Sequence, residues 1–363
     1  MARKSIDAVL AQQTPSGAFV ASPDFSQYGY CWLRDSSFAA YALDRVGESA
    51  SSAAYHAWVQ QTLAGVAGIM EKAIDRRSAS VTADPTELLP ARFDLEGKVV
   101  ADDWPNFQID GYGTWLWALR EHLSVVGQAG LSRGLKEVVE RTAAYLSAYA
   151  MSPCFDVWEM NGEAVHTSTL ACVYGGLIAA SELLASDALK QRASEVLDFV
   201  QSELGTEAGF KKSTLSGEVE ASTLWLARPF GLISPDSTRF SAMVERIERH
   251  LIHDGGVRRF ESDTYFGGGA WPVLTASLGW HYVAQGDLAK ARALLARIES
   301  HFSPDGLLGE QFGGDTRDPT MFAEWVTRWG PPAQCLTWSH AMHLVLDVEV
   351  SLAKMWPGAE TPR

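Results

Sequence analysis

Apolar residues recur at intervals of three and four along almost the whole chain, while the alternation of a half-buried strand is nearly absent. A chain written this way has to bury its apolar stripes helix against helix. The spacing predicts about twelve helices, over 5–13, 36–46, 51–77, 107–126, 132–150, 166–185, 188–204, 221–226, 239–253, 270–284, 288–302 and 333–355. Several are apolar over most of their circumference, as from Thr169 to Ala180, and need cover on both sides; others are amphipathic. Alternation of buried and half-exposed helices predicts an all-α fold in which six inner helices are ringed by six outer ones, the (α/α)6 barrel. A helical solenoid is the rival arrangement, and the lack of any repeat of 20–50 residues weakens it.

The connecting segments 14–34, 78–106, 152–165, 254–269 and 303–332 are long and rich in Gly, Pro, Asp and aromatic residues. Long ordered connections in a compact domain usually carry function. In a helical barrel they would gather at one end and build a pocket there. No linker composition divides the chain, so residues 1–363 read as one catalytic domain.

Charge and motif content exclude several classes. With 30 Lys and Arg against 44 Asp and Glu the net charge is −14, and there is no basic run, so nucleic acid is not an expected partner. The first residues lack the apolar core of an export signal and no uninterrupted apolar stretch of membrane length appears, so a cytoplasmic protein without membrane attachment is expected. Cys31, Cys154, Cys172 and Cys335 form no CxxC and read as reduced core thiols. GxGxxG opening a helix, GxxxxGK[ST] and HExxH are all missing. His340 and His343 have no third ligand in the pattern, so neither a metal nor a cofactor is expected.

Two loop carboxylates stand out. Glu159, in Phe155-Asp-Val-Trp-Glu159, sits beside an indole that would disfavour its ionised form and raise its pKa, as a general acid at neutral pH requires. Capping of the next helix, or simple solvation, is the competing reading. Glu310 lies in the Gly-rich loop Gly306-Leu-Leu-Gly-Glu310-Gln311, where Gln311 offers an amide to a hydroxyl or a neighbour. Two such acids at one barrel end would supply the acid and base of glycosidic bond hydrolysis. Trp32, Trp104, Trp158, Trp271 and Trp338 all stand beside polar residues, where indoles can stack on sugar rings or plug the barrel mouth. Arg34 with Asp35, and Arg259 with Asp263, offer forked groups for hydroxyls.

Taken in order, five segments resemble the inverting glucoamylases of glycoside hydrolase family 15: Tyr28-Gly-Tyr-Cys-Trp32-Leu-Arg34-Asp35, Trp104-Pro-Asn-Phe-Gln108-Ile-Asp110-Gly111, Asp156-Val-Trp-Glu159, Arg259-Phe-Glu-Ser-Asp263-Thr-Tyr265 with Trp271, and Glu310-Gln311 followed by Leu336-Thr-Trp338. The resemblance implies an (α/α)6 barrel, Glu159 as general acid, Glu310 as general base and Tyr28 holding the base or its water. It places Arg34 and Asp35 on hydroxyls of the terminal glucose, Trp104, Arg259, Trp271 and Trp338 in the pocket wall, and Asp110 in support. It implies release of β-glucose from the non-reducing end of an α-glucoside.

Met160 stands where many members carry a second acid, so recognition of the leaving sugar is expected to differ. Neither a starch-binding module nor an N-terminal β-sandwich is apparent, and the expected substrate is a short oligosaccharide. Isomaltose or isomalto-oligosaccharides are preferred, with α-1,4 links such as maltose, and trehalose, as alternatives. An (α/α)6 epimerase or isomerase would instead need His166, His281 or His340 at the pocket centre. A non-catalytic sugar sensor would not need both acids.

Overall fold

The computed structural model describes residues 1–79, 84–314 and 316–355; positions 80–83 of the connection expected over 78–106 lie outside this set. The described residues form thirteen α-helices, α1 Ala2–Ala11, α2 Leu33–Arg45, α3 Ser49–Gly65, α4 Ala67–Ser78, α5 Asp110–Val125, α6 Arg133–Tyr149, α7 Thr167–Leu184, α8 Asp187–Phe199, α9 Thr238–Leu251, α10 Pro272–Ala284, α11 Leu288–Glu299, α12 Pro319–Trp329 and α13 Thr337–Met355. Helices α2, α5, α7, α10 and α13, with a short 3-10 helix at Ala221–Leu226, pack each on the next, and α13 returns to α2 to close the ring. This is the inner layer of an (α/α)6 barrel. Around it α1 packs on α13, α3 on α2, α6 and α8 on α7, α9 on the 3-10 helix and α11 on α10.

The two layers differ as their sequences do. Helix α10 buries every residue from Pro272 to Val283, whereas α9 buries only Phe240, Met243, Val244, Ile247 and Leu251 along one stripe. Helix α7 is long and apolar enough to cross a membrane, yet 67% of it is buried within the protein, as an inner helix requires. Side-chain caps occur on four of the outer helices, though not on α1 or α3. Ser132, Ser186, Ser237 and Asp287 cap the outer helices α6, α8, α9 and α11 by accepting a hydrogen bond from a first-turn N–H. The inner helices α2, α5, α7 and α10 have no side-chain cap.

Connections are short at one end of the barrel and long at the other. Inner helices pass to outer ones through 46–48, 126–132, 185–186, 285–287 and the longer 227–237, while entry to the inner ring runs through 12–32, 79–109, 150–166, 205–220, 252–271 and 300–336. The long segments therefore meet where the inner helices begin. A two-residue pairing, Cys31–Trp32 against Arg92–Phe93, ties two of them together.

Three expectations need correction. The helix expected over 51–77 is two, broken at Val66 between Gly65 and Gly68, where glycines ease departure from helical geometry. The segment 303–332 contains a helix, α12, begun by Asp318 capping Thr320 and Met321, with Pro319 in its first turn, and closed by Gly330 at φ +84°. The helix expected over 188–204 ends at Phe199 and finishes in a wide π-turn, Val200–Leu204.

Helices α5 and α7 touch backbone to backbone. A Cβ on Gly113 would lie 2.2 Å from the Cys172 carbonyl oxygen, and one on Gly176 would lie 2.5 Å from Gly113 Cα. Gly113→Val should cost upwards of about 3 kcal/mol, since neither backbone can yield without opening the ring. Gly68→Ala in α4, whose Cβ meets nothing within 4 Å, should stay within about 1 kcal/mol of the parent. Calorimetric unfolding of the two variants checks this contrast.

Candidate active site

Arg34, in the uncapped first turn of α2, organises the end of the barrel where the long segments meet. Its Nη1 donates to Asp110 Oδ2 at 3.0 Å and Gln108 Oε1 at 3.3 Å, its Nε lies 3.2 Å from Asp35 Oδ2, and its Nη2 lies 3.4 Å from Glu159 Oε1. The guanidinium also faces the Trp338 ring at 5.1 Å. One buried cation thus joins the starts of α2, α5 and α13 to the loop before α7. Asp35 is lifted to about 6 by burial, with Arg34 opposing and Asp110 adding to the rise.

Glu159 sits on a tight turn held by its own sequence. Asp156 Oδ1 accepts from the backbone N–H groups of Trp158 and Met160, both at 2.9 Å, and Glu159 N–H donates to the Asp156 carbonyl at 3.0 Å. Glu159 has φ +59° and Asn161 φ +53°, a left-handed backbone unfavourable for residues with a Cβ. Its carboxyl therefore projects from an imposed turn, and it does not cap α7, whose N-cap is His166. Burial raises Glu159 to about 7, opposed by Arg34 and augmented by the charges of Asp35 and Asp156.

Glu310 is buried across the cavity, its backbone N–H bonded to the Ala333 carbonyl. Tyr28 Oη donates to its Oε1 at 2.7 Å, and Tyr265 Oη approaches Oε1 and Oε2 at 3.4 and 3.3 Å. The two phenol oxygens are 2.8 Å apart. Burial lifts Glu310 to about 8; Tyr28, Arg259 and Tyr265 pull the other way and the Glu159 charge adds to the rise. Two acids that feel each other share their protons, so hydrogen bonding decides which holds one. The phenol donors favour negative charge on Glu310, and Arg34 and Gln108 favour it on Glu159, both against the burial that raises the two carboxyls.

The walls are aromatic. Trp158 lies against Trp271 and Trp338, with ring centroids 5.3 and 6.2 Å apart, and Trp32 meets Tyr28 and Trp104 edge-on. Arg259 makes a forked pair with Asp263, 2.7 and 2.6 Å, and its guanidinium stacks among Trp158, Tyr265 and Trp271. The indole N–H groups of Trp32, Trp104, Trp271 and Trp338 are buried without a hydrogen-bond partner among the described residues, as are those of the core residues Trp115 and Trp280.

The residues expected at the site from the sequence lie in one connected set of contacts, in which two of the expected sugar ligands are already engaged. Asp263 is engaged by Arg259, and Gln311 turns its Nε2 to the Tyr265 carbonyl at 2.9 Å, so both hold the wall in place of a sugar hydroxyl. Tyr265 and Gln108 join the site without a role expected from the sequence, although Tyr265 follows Asp263 by two residues. Arg92, enclosed by Tyr30, Trp32 and Trp104, and Lys212 with Glu220, which lie behind Trp158, have no local pattern that announces them. The histidines lie elsewhere. His340 is buried between Ser5 and the Leu308 N–H, His281 packs on Phe240, and His166 bonds the Asn161 carbonyl.

Residues 1–302 match the model of the family described as Glycosyl hydrolases family 15. Over 359 residues the chain is 36% identical to the isomaltose glucohydrolase of Kribbella flavida, covering 97% of this chain and 93% of that one. A glycosidase variant solved in complex with glucose superposes with a TM-score of 0.92 at 36% identity, over 97% of this chain and 96% of that one. The glucoamylase of Saccharomycopsis fibuligera, 15% identical, shares the fold with a TM-score of 0.73 over 96% of this chain and 94% of that one.

The raised carboxyls carry a stability cost that depends on pH. A carboxyl raised from 4.5 to about 8 by folding contributes stability fully present below pH 4.5 and lost as pH rises through 8. Glu310→Gln removes that loss. The variant should melt within a degree or so of the parent near pH 4.5 and several degrees above it at pH 9, by scanning calorimetry. A difference independent of pH would contradict the buried-acid assignment.

Proposed function

The chain belongs to the glycosyl hydrolases of family 15, and on that premise we propose that it is an inverting, exo-acting α-glucosidase that releases β-glucose from isomaltose and short isomalto-oligosaccharides. The observation that carries the reading is the pairing of two acids among the same aromatic rings, Glu159, its side chain 19% exposed, against Arg34, and the buried Glu310 against two phenols. The α-1,6 preference follows the Kribbella relative, a compact chain of nearly the same extent.

Glu159 gives its proton to the glycosidic oxygen as the bond breaks, and Glu310 takes one from a water on the opposite face of the sugar. Inversion by this route needs roughly 6.5–9.5 Å between the carboxyl groups, room enough for that water. Tyr28 orients Glu310 and favours its ionised form. As charge develops on the sugar ring, the neighbouring carboxylates Asp35 and Glu310 stabilise it, and Arg34 keeps the acids from repelling each other in the resting site. Glu159 loses its proton during the step, and the charge it gains is met by the Arg34 guanidinium 3.4 Å away. Met160, 39% exposed beside the acid, leaves the mouth without a charge where the departing sugar lies.

An epimerase would place histidines at the reacting carbon, whereas His166, His281 and His340 are engaged outside the carboxyl pair. Both acids are in place, so a sensor that has lost catalysis is not favoured. We read residues 2–355 as one catalytic barrel.

Glu159→Gln and Glu310→Ala should each lower kcat on isomaltose by about 10²–10⁴-fold while leaving glucose binding measurable by calorimetry. Proton NMR of the first turnovers should show the β-anomer; α-glucose first would exclude inversion. In a panel of isomaltose, maltose and trehalose, isomaltose should have the highest kcat/KM, and no turnover of it would end the preference.

A further inference from the structure

Behind the acid's turn, on the side away from the sugar, lie three ionisable groups that the mechanism above does not use. Lys212, Asp156 and Glu220 are 2%, 0% and 2% exposed. Lys212 Nζ stands 3.4 Å from Glu220 Oε2 and 3.9 Å from Asp156 Oδ2, and lies over the Phe260 ring at 3.1 Å. Three charges so deeply buried are costly, and a group of this kind persists where its members hold one another. Each carboxylate also holds a different part of the loop that presents Glu159. Asp156 Oδ1 takes the N–H groups on either side of the acid, those of Trp158 and Met160, and Glu220 Oε1 takes the Trp158 indole N–H at 2.7 Å. Removing the ammonium would leave two carboxylates facing each other with no full counter-charge, only the Ser222 hydroxyl on Glu220 and His166 near Asp156. One of them would take up a proton or move, and both are the anchors of a turn that already bears an unfavourable φ at Glu159.

We propose that Lys212 is a positioning residue for general acid catalysis: by neutralising Asp156 and Glu220 it fixes the turn that aims the Glu159 proton at the leaving oxygen. The inference rests on Glu159 being the acid. It concerns a residue that touches neither substrate nor acid, on a segment, 205–220, that contributes no other group to the cavity wall described above.

The test separates proton delivery from everything else by changing the leaving group. The alcohol released from isomaltose departs only with a proton, whereas fluoride departs from α-glucosyl fluoride with little help. Wild-type turnover of both substrates establishes the functional reading on its own, and failure there would fall on that reading and not on Lys212. Given wild-type turnover, Lys212→Met should lower kcat on isomaltose by about 10–100-fold and kcat on α-glucosyl fluoride by no more than about threefold, a fraction of the full worth of a general acid. Lys212→Arg, which keeps the charge, should recover most of the isomaltose rate. Equal losses on the two substrates, or no loss on either, would overturn the proposal. If Lys212→Met does not fold, Lys212→Gln, which keeps a hydrogen-bond donor, is measured in its place with the same expected ratio. Loss of folding in both, with Lys212→Arg behaving as wild type, would assign the lysine to stability alone and equally overturn it.

Discussion

A single buried guanidinium holds the working end of this protein together. Arg34 reaches Asp35 on its own helix, Asp110 and Gln108 at the entry to α5, Glu159 on the loop before α7 and the ring of Trp338 at the entry to α13. Without it those acids could not share so small a dry volume, because like charges a few ångströms apart in a low-dielectric interior repel strongly. Burial and Arg34 act in opposite directions on Glu159, and their balance leaves it poised near neutrality instead of fully ionised. The fold serves this balance. An inner ring whose helices all begin at the same end brings uncapped N-termini, with their partial positive charge, to the place where carboxylates collect.

The general plan was readable from periodicity alone, because a helix buried on all sides and a helix buried on one stripe are written differently. Helices α7 and α10 announced the inner layer, and α9 and α6 the outer. Much of the site was also readable, since Tyr28, Arg34, Glu159, Arg259 and Glu310 stand in short segments with characteristic neighbours. What could not be read was whatever depends on long-range contact. Nothing near Lys212 or Glu220 says that they meet Asp156, and nothing around Arg92 says that three aromatic rings enclose it. The break at Val66 has only a faint local mark, the flanking Gly65 and Gly68. Helix α12 is different: Asp318, Pro319 and Gly330 are start and stop signals in plain sequence, masked by the Gly-rich and Pro-rich composition around them.

Two neighbouring acids are kept unequal by unequal partners. Glu310 receives phenol hydroxyls, which reward negative charge without supplying a counter-charge of their own. Glu159 receives one guanidinium contact at 3.4 Å, and the nearby charges of Asp35 and Asp156 discourage its ionisation. The left-handed backbone at Glu159 belongs to the same design, since a relaxed turn would place the carboxyl elsewhere.

The unequal lengths of the connections divide this molecule into a part free to vary and a part that is not. Where α5 meets α7 at Gly113 and Gly176, a single added methyl has nowhere to go, so the spacing of the inner helices is inherited as a unit. Helix α12 is under no such constraint: it fully buries none of its residues, and a Cβ added at Gly313 or Gly330 beside it meets nothing within 4 Å. Descendants of this chain could acquire a taste for a different departing sugar by rewriting that helix, while Glu159 and Glu310, which lie outside it, passed unchanged from ancestor to offspring.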